Sequence, residues 1–185
     1  EGITLKFILL QNGHIQVFHD EPLDIKEIEN TPLEGKIASI DYVTSGNGII
    51  YHDEANQEVV FKGIDDSYFT DLRRSEFTLT LDEPLGEKFS RFARLVISST
   101  LASSLDVSIG DNVALITLPE ESNMKVRPSL ATVVGLFDSG YQKIDESVIF
   151  IDREHGEKFF PASGSNEIIL NKGNTDQAEN IAQDI

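Results

Sequence analysis

Apolar residues alternate with polar ones, or gather in short β-branched runs, over seven stretches of the chain. A period of two is typical of half-buried strands, and short runs of valine and isoleucine are typical of buried ones. These patterns predict strands at residues 14–18, 36–44, 58–62, 112–117, 131–137, 148–151 and 167–170. Apolar residues at helical spacing predict helices at residues 3–10, 89–105 and 175–185, and a shorter helix after Pro22.

Local polar signals predict how these elements are connected. Residues 45–48, Ser-Gly-Asn-Gly, contain the Asn-Gly pair that is typical of tight hairpin turns. We therefore expect the strand at 36–44 to turn there and return through 49–51, so that residues 36–62 form a three-strand meander. Asp152 precedes a charged segment, and aspartate is a common helix N-cap, which predicts a short helix over residues 152–159 that this aspartate begins. The mixture of strands and helices predicts an α+β fold.

Composition narrows the classes of function. The chain has 185 residues, of which 39% are hydrophobic, so it is long enough to bury a core as one domain or two closely joined subdomains. Its formal net charge is -17, and a surface this acidic repels nucleic acid and anionic lipid headgroups. The absence of cysteine excludes disulfides, zinc–thiolate sites and thiol catalysis.

The chain also has the character of an excised soluble fragment. Its apolar runs, such as residues 7–10, are far shorter than the roughly 20 residues that a membrane helix needs. It begins at Glu1 and ends at Ile185 inside segments that are compatible with helices, and no signal peptide precedes the first strand. We therefore expect it to be part of a larger protein.

The residues that usually carry chemistry do not form a recognisable site. His14 and His19 are five positions apart on a predicted strand, so they point to opposite faces and cannot share a metal ion. Adjacent acidic pairs such as Asp65-Asp66 diverge in the same way and fit a solvated surface. We predict no catalytic, cofactor-binding or metal-binding residue, and no enzyme. An acidic-site hydrolase, the alternative, requires a pocket with converging carboxylates.

Several motifs in a fixed order carry a resemblance to a known family. Residues 95–113, LVISSTLASSLDVSIGDNV, end in the pattern Leu-x-Val-x-x-Gly-Asp-x-Val, and residues 132–140, TVVGLFDSG, follow after a loop. The segments GHIQV at 13–17, FKGID at 61–65 and EIIL at 167–170 flank them in the expected order. Together they resemble the MacB-like periplasmic core domain that MacB-type, LolC/LolE-type and FtsX-like ABC-transporter permeases share. The resemblance covers nearly the whole chain.

The resemblance implies an α+β domain in two parts. A porter-like βαβ subdomain is expected from both chain ends, residues 1–65 and 165–185, which would adjoin the first two membrane helices. A β-rich subdomain, residues 66–164, is expected as an insertion between them.

The resemblance also implies a non-catalytic role on the periplasmic side of the bacterial inner membrane. The domain would transmit ATP-driven motion to substrate export or to lipoprotein release. Its implied partners are a cytoplasmic ATPase subunit, a second permease subunit in a homo- or heterodimer, and a periplasmic chaperone or adaptor. The alternative within the same resemblance is an FtsX-like domain, which recruits and activates a cell-wall hydrolase.

One loop is the candidate contact site for a partner protein. It joins the predicted strands 112–117 and 131–137 and places apolar residues among charged ones. Exposed apolar residues of this kind are plausible contact points. The predicted partner-binding residues are Met124, Lys125, Val126, Arg127 and Pro128.

Overall fold

The structure, a computed structural model, describes residues 13–18, 22–23, 26, 31, 33–75, 77–86, 91–117, 128–160, 163–171 and 173–183. The strands are Ile15–Val17 (β1), Ile37–His52 (β2), Ala55–Ile64 (β3), Thr78–Leu81 (β4), Ala93–Ser98 (β5), Asn112–Thr117 (β6), Ser129–Asp138 (β7), Val148–Asp152 (β8) and Gly164–Leu170 (β9). The α-helices are Asp71–Arg74 (α1), Ser99–Leu105 (α2), Gln142–Ser147 (α3), Arg153–Phe159 (α4) and Ala178–Gln183 (α5). The 3₁₀ helices are Asp66–Tyr68 and Thr175–Gln177. The predicted α+β class is confirmed.

The chain divides into two compact units. The first unit is Glu1–Val43 with Gly164–Ile185, and the second is Thr44–Ser163. The predicted subdomains differ from these units over residues 44–65 and at residue 164. They remain a prediction about how the family pattern divides the chain. The helices predicted at 3–10 and after Pro22 lie wholly or mostly outside the described residues.

The first unit is organised around strand β9, which lies between β1 and β2. β1 runs antiparallel to β9, with Ile15 opposite Ile168. A small apolar core holds these strands against helix α5 and consists of Ile15, Leu33, Ile37, Ile168, Leu170 and Ile181. The strands predicted at both chain ends are therefore confirmed, and helix α5 lies within the helix predicted at residues 175–185, with Ile181 buried.

Strand β2 corrects the predicted meander. It runs without a break from Ile37 to His52, straight through the Gly46-Asn47-Gly48 segment where the turn was expected. The chain turns instead at Asp53-Glu54, and β3 returns antiparallel with His52 opposite Ala55. Asp53 has a φ of 50°, which such a two-residue hairpin turn requires. The glycines serve packing: a Cβ at Gly46 would enter the ring of Phe160, and one at Gly48 would enter the ring of Phe61.

The strands of the second unit close into a barrel. β2 pairs with β3, β3 with β8, β8 with β5, β5 with β7, β7 with β6, and β6 pairs back to β2. Two of these pairs are parallel, β3 with β8 and β5 with β7, and the others are antiparallel. Closure of this kind removes the open strand edges that an unrolled sheet would present.

The barrel encloses the main core of the second unit. Alternate side chains of all six strands point inward, as the strand period of two requires. They are joined by side chains of helix α2 and by Phe160, and the buried set is Ile50, Val59, Phe61, Ala93, Leu95, Ile97, Leu101, Ala102, Leu105, Val107, Val113, Leu115, Ala131, Val133, Ile149, Ile151 and Phe160. The barrel is therefore a filled scaffold.

A second buried cluster lies outside the barrel and is aromatic. Phe150, on the outer side of β8, has its ring centroid 5.3 Å from that of Phe69 and 5.3 Å from that of Phe137. Tyr68 lies 5.7 Å from Phe150, and Phe77 packs on both Phe69 and Phe137. Residues 66–75 and 77–81, where no element is predicted from the sequence, thus cover one side of the barrel with aromatic side chains.

Strand β5 corrects the helix predicted at 89–105. Ala93–Ser98 forms a strand whose six residues are all buried, and of the described residues 91–105 only Ser99–Leu105 is helical. Because this strand is covered on both faces, its apolar residues 95–97 follow one another without alternation, a pattern that also fits a buried helix. The Ser98 hydroxyl accepts a hydrogen bond from the amide of Leu101 and so begins helix α2.

The Gly-Asp motif after helix α2 is a connector between that helix and strand β6. Gly110 has a φ of 97°, and its amide donates to the Val133 carbonyl at 2.7 Å. The Asp111 carboxylate accepts a hydrogen bond from the amide of Ser108 at 2.8 Å. These bonds fix the turn that delivers the chain into the barrel, so the motif has an architectural role.

Gly110→Ala is expected to lower the free energy of unfolding by about 1–2 kcal/mol, because an L-residue is strained at this φ. No atom lies within 4 Å of the position that a Cβ would take, so the loss would come from the backbone alone. Urea denaturation followed by circular dichroism measures it, with Ser108→Ala as the control on the same turn. An alanine variant as stable as the parent would contradict the prediction.

Helix α4 confirms the predicted aspartate cap. The Asp152 carboxylate accepts from the amide of His155 at 3.0 Å and also from the amide of Arg94 at 2.9 Å. The helix lies directly on strand β3, because Gly156 and Gly63 meet backbone to backbone beside Thr44. The glycine of the Phe-Lys-Gly-Ile-Asp segment therefore serves close packing.

Candidate functional site

The predicted contact loop joins two paired strands of the barrel. Residues 124–127 lie outside the described residues, and Pro128 is exposed. On either side of the loop, Leu115 of β6 lies opposite Ser129 of β7 in an antiparallel pair. The loop is therefore the connection between these strands. Its role in binding a partner stays a prediction.

An exposed apolar surface lies beside this connection. Ile49 of β2 is opposite Ile116 of β6, and Tyr51 is opposite Ala114, which is in turn opposite Leu130 of β7. Opposite residues of an antiparallel pair point to the same side of the sheet. The neighbouring residues Ile50, Leu115 and Ala131 point into the barrel core, so these five point outward. We call Ile49, Tyr51, Ala114, Ile116 and Leu130 the outer barrel face.

The side chains of the outer barrel face are accessible to solvent. Leu130 is 52% exposed, and the other four are half-buried. Phe92, 37% exposed, directly precedes β5, whose first residue lies opposite Ala131 beside Leu130. Large apolar side chains that meet on a surface are typical of contact sites for other molecules, whereas single ones are common on any protein.

Acidic side chains border the outer barrel face. Glu58 lies opposite Ile49 on β3, and Asp53 and Glu54 form the turn that follows β2; all three are exposed. Arg91 is exposed on the other side, next to Phe92, with its guanidinium 5.6 Å from that ring centroid. The described border therefore has more negative than positive charge.

The outer barrel face is not among the sites predicted above, although the sequence carries a signal for it. Residues 113–116, Val-Ala-Leu-Ile, are apolar at both odd and even positions, as are residues 49–51. A strand that is apolar on both sides either is buried on both or presents one apolar side to solvent. Only the pairing of β6 between β2 and β7 shows that these strands present one apolar side to solvent.

Three of the four histidines and the acidic pair Asp65-Asp66 have structural partners, whereas His19 lies outside the described residues. The amide of Leu170 donates to Nδ1 of His14 at 3.1 Å, and Nδ1 of His52 lies 3.0 Å from the Leu105 carbonyl oxygen. His155 Nδ1 lies 2.8 Å from the Asp152 carboxylate. The carboxylate of Asp66 accepts from the amide of Leu85 at 2.8 Å. Within the described part of the chain, no group of three or more His, Asp and Glu residues is placed to hold a metal ion.

Charged pairs along helix α4 shift two pKa values. Partial burial acts to lower the pKa of Arg153, but hydrogen bonds to Glu157 and Asp65, each 2.8 Å long, raise it above its ordinary value. The hydrogen bond from Lys158 lowers the pKa of Glu154. These pairs lie at the surface and stabilise a short helix, since residues four apart on a helix are neighbours. They do not indicate a catalytic site.

Comparisons with known proteins show which solved structures have a similar fold. No protein-family model and no curated protein matches the sequence. The periplasmic region of MacB from Actinobacillus actinomycetemcomitans is 18% identical, with a TM-score of 0.50 over 94% of this chain and 78% of that one. The extracellular domain of the noncanonic ABC-type transporter YknZ from Gram-positive bacteria is 12% identical, with a TM-score of 0.49 over 88% of this chain and 83% of that one. A domain of a putative permease from Porphyromonas gingivalis is 16% identical, with a TM-score of 0.48 over 88% of this chain and 79% of that one.

No helix in the described ranges combines the length and the apolar character that crossing a bilayer requires.

The similarity to the MacB region covers both compact units and most of each chain. At this identity, it establishes the architecture and leaves the activity to be tested. The resemblance predicted from the sequence motifs is confirmed for the fold, which is that of the periplasmic region of MacB.

Proposed function

We propose that this chain is the extracytoplasmic domain of an ABC-transporter permease, on the periplasmic side of the bacterial inner membrane. The fold shared with the periplasmic region of MacB over 94% of the chain is the observation that supports the proposal. The order of the sequence motifs supports it independently, because they are spread from residue 13 to residue 170.

The domain's role in this proposal is mechanical and not catalytic. A closed barrel with a filled core moves as one body, because its interior is packed like a solid and its strands have neighbours on both sides. Such a body can pass a displacement that begins at an ATPase on to a molecule bound at its surface. The division into a porter-like subdomain (1–65 and 165–185) and an inserted subdomain (66–164) belongs to this proposal.

The proposed partners are a cytoplasmic ATPase subunit, a second permease subunit, and a periplasmic chaperone or adaptor. The outer barrel face and the loop that contains residues 124–128 are the proposed contact surface for the chaperone or adaptor. Substrate export and lipoprotein release are both compatible with this arrangement.

Purification of the full-length gene product from membranes tests the proposal. We expect membrane helices on both sides of this chain, and an ATP-hydrolysing subunit or domain that accompanies it in mild detergent. A gene product without membrane helices, or one that binds no ATPase, would contradict the transporter proposal. A stable complex with a cell-wall hydrolase, in which no substrate is moved, would favour the FtsX-like alternative.

The contact loop is tested in the same full-length protein. Replacing residues 124–127 by Gly-Ser residues is expected to leave the ATPase bound and to abolish capture of a purified candidate chaperone or adaptor. A Gly-Ser replacement of the Asp53-Glu54 turn, which also connects two strands, is the matched control. Equal capture by the parent and the loop variant would remove the loop from the contact surface.

A further inference from the structure

We infer that the outer barrel face binds a basic amphipathic protein segment, in which apolar side chains alternate with lysine or arginine. The inference deepens the proposed docking role and rests on the proposed function for the presence of such a partner. It specifies the chemistry of the surface and can be tested on the 185-residue chain alone.

The apolar part of the inference comes from the concentration of exposed side chains. Three large apolar side chains are exposed among the described residues: Phe18, Phe92 and Leu130. Leu130 belongs to the outer barrel face, and Phe92 precedes the residue that lies opposite Ala131 beside it. Ile49, Tyr51 and Ile116 continue the face across two further strands. A partner that covers this surface removes apolar area from water, which is favourable by about 25 cal/mol per Å².

The charge of the border determines which partner fits. Glu58, Asp53 and Glu54 border the face, while Arg91 is the described cation that is exposed beside it. Arg94, opposite Thr132, is buried and pairs with Glu83, so it adds no free positive charge at the surface. The chain as a whole carries a net charge of -17. Complementary charge speeds the encounter and selects the partner, so a basic segment is favoured.

The same charges disfavour two other occupants. A second copy of the chain would bring one acidic border against another, and like charges at an interface are costly. An anionic lipid surface would also be repelled by the border and by the net charge.

The pairing of β6 sets the mode of recognition. Its backbone is bonded to β2 on one side and to β7 on the other, so a partner cannot add a strand to it. Side chains must make the contacts. A segment with apolar residues on one side and cations on the other meets this requirement, because its apolar side lies on the face while its cations reach the acidic border.

Synthetic peptides provide the first test. A peptide that alternates leucine and lysine is titrated into the 185-residue chain, with a leucine–glutamate peptide and a serine–lysine peptide of equal length as controls. We expect saturable binding of the leucine–lysine peptide only, with amide NMR shifts that are largest at Tyr51, Ala114 and Leu130. Binding should weaken as salt is raised, because exposed charges are screened beyond about 8–10 Å at 0.1–0.15 M ionic strength.

Surface variants assign the binding to the face. Leu130→Ser and Ile116→Ser should each weaken binding about tenfold, as expected for removing a large apolar contact. Glu58→Gln should weaken binding less, by about threefold, and should reduce its salt dependence. Phe18→Ser, which removes a side chain that is 79% exposed in the first unit, is the matched control and should leave binding unchanged.

Several results would overturn the inference. Equal affinity for the leucine–glutamate peptide, no binding of the leucine–lysine peptide, or binding that the face variants leave unchanged would each do so. Self-association that Leu130→Ser abolishes would assign the face to a second copy, and binding to phosphatidylglycerol vesicles lost in the same variant would assign it to lipid. These measurements do not involve the ATPase, so their failure is distinguishable from failure of the transporter proposal.

Discussion

Replacing Phe150 by alanine is expected to lower the free energy of unfolding by about 3–5 kcal/mol, the usual cost of truncating a fully buried phenylalanine. Phe150 has no exposed surface and contacts three aromatic rings, those of Tyr68, Phe69 and Phe137. Residues 66–75 and 77–81 are held on the barrel by this cluster and by the pairing of β4 with β7. Removing its central ring leaves a cavity and also takes away a partner of each surrounding ring.

The loss at Phe150 is measured by urea denaturation, with tyrosine fluorescence and circular dichroism as separate probes. For a chain of this size, we expect the melting temperature to fall by about 10 °C. Phe150→Leu retains most of the apolar volume and should lose about 1–2 kcal/mol.

Phe92→Ala is the control for Phe150→Ala, because that ring is 37% exposed and should contribute less than about 1 kcal/mol. If the two alanine variants had equal stability, the aromatic cluster would not hold the segment as described.

The elements that the sequence predicted well are those whose signals are local. Asn112–Thr117 forms the strand that its pattern predicted, and Asp152 begins helix α4 through a hydrogen bond to an amide three residues along the chain. Such signals depend on a few adjacent residues, so a single sequence contains them in full. The motif around Gly110 is also local, because the required φ is a property of one residue.

The elements that the sequence did not predict depend on residues far apart in the chain. The sequence predicts a helix where strand β5 lies, because burial on both faces removes alternation. One of those faces packs into a barrel core whose other residues are spread along the second unit. Closure of the barrel depends on the pairing of β6 with β2, and no local pattern records a distant partner. The outer barrel face depends on the same pairing. The candidate site was therefore located in the sequence only as far as the adjoining loop.

Gly48→Ala, at the second residue of the Asn-Gly pair, is expected to cause a large loss of stability. A Cβ at Gly48 would lie far inside van der Waals contact of both the Phe61 ring and the Ile116 carbonyl oxygen. Gly48 pairs with Val59 on one side and with Thr117 on the other, so β2 cannot move away from either obstacle. We expect the free energy of unfolding to fall by about 1–3 kcal/mol, and by more if β6 separates from β2.

The turn interpretation and the packing interpretation predict different results for Gly48→Ala. In a hairpin turn, the glycine would supply a positive φ, whereas here the strand continues and the glycine supplies space for a ring and a carbonyl. Asn47→Ala, exposed on the same strand, is the control and should change stability by less than about 0.5 kcal/mol.

Phe61→Leu separates the two obstacles at Gly48. If the ring alone were responsible, the combined variant would be no less stable than Phe61→Leu. Because the Ile116 carbonyl remains in place, we expect Gly48→Ala to stay destabilising in that background.

Ile116 belongs to the outer barrel face, so displacement of β6 in Gly48→Ala should also weaken binding of the leucine–lysine peptide. Unchanged binding in a destabilised variant would mean that the face tolerates movement of the strand at its centre.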